Sequence, residues 1–201
     1  MNLYTMKEKI LFYSVILFIV GMSLKIYLES EQFNLKCVIS SVDGNKYCVR
    51  EREDLEKTAD LLAKVTNKLK TLVETMKKEK PDDPMIERIF INFNPKNITE
   101  TLPTSVHTAY SENKGEKMAF CLTKKKNGKK LIDENTLTFV AIHELAHTGT
   151  ETIGHDKKFW GNFKQLLKYA ADLDLYKPED YKGKPKKYCG MEITDNPYFD
   201  L

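Results

Sequence analysis

The stretch that decides how this chain is read is Thr136-Leu137-Thr138-Phe139-Val140-Ala141-Ile142-His143-Glu144-Leu145-Ala146-His147-Thr148-Gly149-Thr150-Glu151-Thr152-Ile153-Gly154-His155. The whole chain has four histidines, and three of them stand here. Residues four apart share one face of a helix, so the imidazoles of His143 and His147 can hold one ion between them. His155 lies beyond the helix and can return to that ion if Gly149 and Gly154 let the chain turn. Glu144 faces the same cleft, where a carboxylate can take a proton from an activated water. Three protein ligands, an open position and a base are what a catalytic zinc ion needs, so Zn2+ is the expected cofactor. Leu137, Phe139, Val140, Ala141, Ile142, Leu145 and Ala146 make the helix apolar nearly all round, as a buried helix would be. Imidazoles and a carboxylate buried there need a compensating partner, which a cation supplies.

Outward from this segment, Asp133 or Asn135 can cap the helix that carries it. A second amphipathic helix is expected over 157–173, with Phe159, Trp160, Phe163, Leu166, Leu167 and Ala170 on its apolar face. Asp156 is placed either to orient a ligand imidazole or to cap that second helix. Upstream, Leu55, Leu62, Val65, Leu69, Leu72 and Met76 recur at sevens, threes and fours, which predicts a core-facing helix over 50–80. Pro81-Asp82-Asp83-Pro84 ends it. Alternating apolar positions over 87–93 predict a strand. Residues 107–111 and 117–123 predict an antiparallel hairpin turning at Glu112-Asn113-Lys114-Gly115. Lys124-Lys125-Lys126-Asn127-Gly128-Lys129-Lys130 reads as a solvated basic turn, with a nucleic-acid or lipid contact as the lesser alternative, and nucleic acid is not an expected partner. The tail from Leu175 has no clear period and is expected to wrap the domain. His107 stands apart as an ordinary hydrogen-bonded histidine, and Tyr110, Tyr181 and Tyr188 are undifferentiated candidates for stabilising an oxyanion.

Near the N-terminus, residues 10–24 are uncharged and almost wholly apolar, and Ile26-Tyr27-Leu28 extends the run beyond Lys25. Nineteen residues at helical rise reach ~28 Å, enough to cross a bilayer with Lys25 snorkelling. A cleaved signal peptide ending near Gly21-Met22-Ser23 is the rival reading, but apolar residues continue past that point. Lys7 and Lys9 before the span balance Lys25 and Lys36 after it, so orientation stays open. Asn97-Ile98-Thr99 is a glycosylation sequon if the body lies outside the cytosol. Of the four cysteines, Cys37 and Cys48 flank a four-residue turn, Ser41 to Gly44, that sets them opposite each other in a hairpin and permits a disulfide. With 41% hydrophobic and 30% charged residues and a net charge of +3, neither disorder nor a strong nucleic-acid field is indicated.

The expected architecture is α+β: residues 1–28 an anchor, 29–50 a linker and short hairpin, and 51–201 a minimal zincin-like domain with a C-terminal tail. A small antiparallel sheet would pack on the active-site helix, behind an N-terminal transmembrane helix.

HELAH (residues 143–147), then Gly154-His155-Asp156, then Phe159-Trp160, resembles the WLM-domain zinc metallopeptidases and their SprT-like relatives over about residues 50–173. The resemblance implies zinc on His143, His147 and His155, with Glu144 as catalytic acid and base. It also implies a protein or peptide substrate laid as an extra strand along the sheet edge near the 107–123 hairpin. Residues 102–117, with Tyr188-Cys189-Gly190-Met191 and Asp195-Asn196-Pro197-Tyr198, are similar to membrane-anchored WLM-like proteins of large DNA viruses. That narrower resemblance implies a viral or virion membrane, virion or capsid-associated partners, and a zincin fold kept for scaffolding as the alternative to proteolysis.

Overall fold

The computed structural model describes residues 3–29 and 35–200. Helix α1 (Leu3–Glu29) is apolar through Met6–Leu28, long enough to cross a membrane, and exposed along that length. At 1.5 Å per residue it spans about 40 Å. Ser14, within it, gives its hydroxyl to Leu11 O at 2.8 Å, so the side chain asks nothing of the surroundings.

The compact body is a mixed α+β unit. Strands β1 (Leu35–Ile39), β2 (Lys46–Arg50), β3 (Ile98–Glu100), β4 (Ala109–Glu112) and β5 (Lys117–Phe120) form one sheet in the order β1-β2-β3-β5-β4. The two hairpins at its edges are antiparallel, whereas β2–β3 and β3–β5 run parallel. The sheet is therefore mixed and not wholly antiparallel, because two helices intervene between β2 and β3 and return the chain to the same end. The 35–50 hairpin belongs to this sheet, so the body begins at Leu35. Its register sets Cys37 opposite Cys48, and the two are joined as a disulfide.

Helix α2 runs Leu55–Glu79, beginning five residues later than its period alone suggests, because Arg50 closes β2. Thr58, Leu62, Val65, Leu69, Leu72 and Met76 are buried on one face, which packs on β1, β2 and the metal-motif helix. The segment expected to be a strand over 87–93 is instead part of helix α3 (Pro84–Asn92). Asp83 Oδ1 accepts from Met85 N at 2.9 Å and Ile86 N at 3.2 Å, and Pro84 occupies the first turn, where no amide is needed. Met85, Ile86 and Ile89 then face the core while Ile91 is 68% exposed, a helical and not an alternating pattern. Local capping overrode the apparent period of two.

Helix α4 (Glu134–Gly149) carries the motif and is capped by Asp133, which accepts from Thr136 N at 2.9 Å. Asn135 instead holds the tail, donating to Lys177 O and accepting from Lys177 N, each at 2.9 Å. Thr136, Thr138, Val140, Ile142 and Thr148 are poor helix formers; burial on β4, α2, α3 and α5 keeps the segment helical. Gly149 closes α4 against α3 with no room for a side chain: a Cβ there would stand 2.8 Å from Met85 Cγ and 2.9 Å from Ile89 Cδ1. Its role is close packing, not the turn expected of it. Helix α5 (Lys157–Asp172) buries Phe159, Phe163, Leu166, Leu167 and Ala170.

The tail does wrap the body. Tyr176, Tyr181 and Tyr188 are among the largest fully buried side chains. Strands β6 (Lys186–Tyr188) and β7 (Met191–Ile193) form a separate hairpin whose turn is fastened by a Cys121–Cys189 disulfide and by Cys189 N to Thr123 O at 2.9 Å. That bridge closes a loop across 68 residues, which by loop entropy restricts the unfolded chain by roughly 4 kcal/mol. Replacing Cys121 and Cys189 together by Ala should lower the unfolding free energy by up to about that amount, measured by denaturant titration of the full chain in detergent. Peptide mapping without reductant should recover the 121–189 crosslink in the parent protein and not in the variant.

Candidate metal centre

The three motif histidines converge. His155 Nε2 lies 3.1 Å from His143 Nε2 and 3.1 Å from His147 Nε2, and the three ligand atoms all fall within 4.8 Å of one another. Two nitrogens each about 2.0–2.1 Å from one tetrahedral ion would stand about 3.3 Å apart, close to the spacing seen. A ring nitrogen carries either one proton or one lone pair, so His155 Nε2 cannot make well-aligned hydrogen bonds to both neighbours. Burial pushes the His143 imidazolium down to about 3, with His147 and His155 adding repulsion. Burial likewise lowers His147 to about 4, with His155 and Lys114 contributing. Both rings are thus neutral near pH 7 and present lone pairs, the form a cation needs. The donor set fits a zinc ion.

Phe159 is the platform under the cluster. Its ring lies 4.9 Å from His143, 4.3 Å from His147 in a stacked arrangement, and 4.7 Å from His155, centroid to centroid. Phe163 backs His143 at 5.1 Å, and Trp160 flanks His155 at 5.7 Å. Asp156 fixes that platform: Oδ1 accepts from Phe159 N at 2.8 Å, capping α5, and Oδ2 accepts from the Thr152 hydroxyl at 2.7 Å. Its observed partners are the backbone and the loop, so it steadies the cluster by holding Phe159.

The loop 150–155 returns His155 to the helix, and Gly154 at φ +92° supplies the turn. Two basic side chains tie that loop to the body. Lys114 Nζ donates to Thr150 O at 2.7 Å and Thr152 O at 2.9 Å, and Arg88 Nε donates to Gly149 O at 2.9 Å. These cations satisfy carbonyls at and just past the end of α4 and oppose the negative end of its dipole. Neither was legible as a site residue. The clue to Lys114 was its place between Asn113 and Gly115 in a tight turn, where its φ is +60°.

Glu144 is buried, 6% exposed, and burial lifts its carboxyl to about 8. A cation beside it favours the carboxylate instead. A cleft of about 270 Å³ opens over His143 and Glu144, walled by Thr108 and Ala109 at the edge strand, Trp160 and Phe163 of α5, and Tyr188, Met191 and Ile193 of the tail hairpin. Of the three candidate tyrosines, only Tyr188 lines it, and its hydroxyl donates to Thr108 O at 3.0 Å. Tyr181 is packed on Phe139 at 5.0 Å, while Tyr110 and His107 face a different surface recess.

The family model of the WLM domain matches residues 91–198, more than half of the chain, and the chain belongs to that family. It is 29% identical over 163 residues to an uncharacterised protein of Acanthamoeba polyphaga mimivirus, a match covering 79% of this chain and 82% of that one. An uncharacterised protein of Invertebrate iridescent virus 6 is 41% identical over 70 residues, 34% of this chain and 38% of its own length. One from Invertebrate iridescent virus 3 is 37% identical over 83 residues, 41% of this chain and 50% of its own. These relatives are proteins of large DNA viruses. No solved structure matches.

Lys114→Met should leave the helix content intact while weakening zinc binding on the order of tenfold, read by competition with a chelating dye, because the loop that presents His155 loses its ties. Phe159→Ala should cost about 3–5 kcal/mol of stability and broaden the imidazole resonances of all three histidines.

Proposed function

We propose that the chain is a membrane-anchored, zinc-dependent metallopeptidase that hydrolyses peptide bonds. The single observation that carries this reading is the meeting of the His143, His147 and His155 ring nitrogens beside the carboxylate of Glu144, in a cleft that borders an edge strand. A bound zinc ion would supply Lewis acidity, polarising a peptide carbonyl and acidifying water. His143, His147 and His155 would hold it and leave one position open. Glu144 would accept the proton of the attacking water and return it to the departing amine. The apolar walls formed by Phe163, Val140 and Ile193 would exclude bulk water from that transfer. The edge of β4 would receive an extended substrate segment through backbone hydrogen bonds. Membership of the WLM family supports the hydrolytic reading, and α1 supports attachment to a membrane, in keeping with a viral or virion envelope.

A second reading is a scaffolding membrane protein that keeps the zincin-like fold without turnover. It draws on the burial of Glu144 and on the disulfide-fastened hairpin that roofs the cleft.

One experiment separates them. Full chain in detergent should carry about one zinc ion per molecule by elemental analysis, lost in His143→Ala. Glu144→Gln should retain the zinc and lose cleavage of a denatured-protein and peptide panel by on the order of 10²–10⁴. Zinc retained with no cleavage by the parent chain would favour the scaffold, and metal content unaffected by His143→Ala would sink the metallopeptidase reading of the site.

A further inference from the structure

Strand register locates the point where the anchor joins the body. Leu35 opens β1 opposite Arg50, the last residue of β2. Because β2, β3 and β5 are parallel, Glu100 and Phe120 end at the same side of the sheet. Glu29, the end of α1, precedes Leu35 by six residues, so the chain spans at most about 21 Å between them. Whatever lies at this end of the sheet is held close to the end of α1.

The lysine-rich turn lies there. It is closed by the Thr123–Leu131 bridge and by Lys124 N to Lys130 O at 3.0 Å. Arg50 clamps it to the sheet, donating from Nη1 to Lys126 O at 2.6 Å. The same guanidinium donates to Thr101 O at 2.6 Å and Leu102 O at 2.9 Å, while Lys126 Nζ bonds Ser105 O. The loop 101–107 is thereby locked beside the turn, and its tip, Val106, is 86% exposed. Lys125, Lys129 and Lys130 are exposed on the turn beside that loop. The acidic residues of this end, exposed Glu51, Glu53 and Asp54 among them, are outnumbered by Lys36, Lys124, Lys125, Lys126, Lys129 and Lys130. Glu100 is buried with Arg50 and Arg52, and the Lys129–Glu53 and Lys36–Glu51 pairs are highly exposed and only weakly bound.

We infer that this end of the body, with exposed Val106 on one loop and Lys124, Lys125, Lys129 and Lys130 on the turn locked beside it, is a docking surface for the anionic bilayer that α1 enters. The ammonium groups meet lipid phosphates and carboxylates, and the Val106 side chain dips among the headgroups. Each lysine near an anionic surface adds a modest, salt-sensitive attraction. That is weak for a free domain, but the short tether holds the surface at high effective concentration. An exposed apolar tip beside a lysine-rich turn, joined by a short tether to an apolar helix, suits a membrane plane better than a nucleic-acid groove. The inference rests on α1 lying in a bilayer, and does not depend on catalysis.

The test uses the full chain reconstituted into vesicles of phosphatidylcholine alone, and into vesicles with about a third phosphatidylserine. An environment-sensitive fluorophore is placed at Val106→Cys or, as control, at Ile153→Cys. Ile153 is 93% exposed and sits in the loop that Lys114 ties to the opposite end of the sheet. With headgroup spin-labelled lipid, quenching at position 106 should exceed that at 153 by at least about threefold in the anionic vesicles. It should fall to the control level in high salt or when Lys124, Lys125, Lys129 and Lys130 are changed to Gln. Equal quenching at both positions, equal quenching in the two lipids, or insensitivity to the lysine changes would overturn the inference. Alkaline extraction is run in parallel. A chain that resists it but shows no preferential quenching counts against docking alone, and a chain released by it overturns both docking and the anchor.

Discussion

Three imidazole nitrogens turned toward one another, two of the rings half-buried and that of His155 exposed, constitute the constraint on which the rest of this structure depends. Neutral rings presenting lone pairs repel, and protonated rings repel more strongly in a low dielectric. The arrangement is stable only if the surrounding fold forces it or a cation reconciles it. Here the fold supplies force from several directions. Helix α4 is sunk in the core on β4, α2, α3 and α5, Phe159 lies beneath all three rings, and the loop bearing His155 is tied down at successive carbonyls. A cation held there would find the shape prepared and would not have to meet the ordering entropy of a loose loop.

The supports come from parts of the chain that are far apart. Arg88 arrives from α3, Lys114 from the turn between β4 and β5, and the cleft roof from the tail hairpin beyond residue 186. A mixed sheet makes this possible. With β2, β3 and β5 parallel, the segments that leave these strands gather at one end, while the β4–β5 turn reaches the other and meets the end of α4. The tail, without a period of its own, is fixed by three buried tyrosines and a disulfide and becomes a wall of the cleft.

Helix α1 stands in contrast to this body. Its exposed apolar surface has no counterpart elsewhere among the described residues, and by length and composition the helix could cross a bilayer. The Asn97 sequon has a different fate. Asn97 Nδ2 donates to Glu116 O at 3.1 Å and the Thr99 hydroxyl is buried, so in the folded protein both side chains of the sequon are engaged with the body.

By itself the amino-acid order determined the elements whose signal is local. HELAH and the following histidine gave the candidate ligands, the apolar residues at sevens, threes and fours gave α2, and the uncharged run after Lys9 gave the apolar N-terminal helix. Cys37 and Cys48 could be set opposite each other because a short turn dictates register. Only the tertiary structure decided the matters that depend on distant partners. It made 84–92 a helix through an aspartate cap and a buried face, and turned Gly149 from a hinge into a contact point against Met85 and Ile89. It also directed Asp156 toward Phe159 and Thr152, and brought Lys114 and Arg88 to the loop. Period and capping are written within a few residues of chain, whereas a hydrogen bond across sixty residues exists only once packing has brought its two ends together.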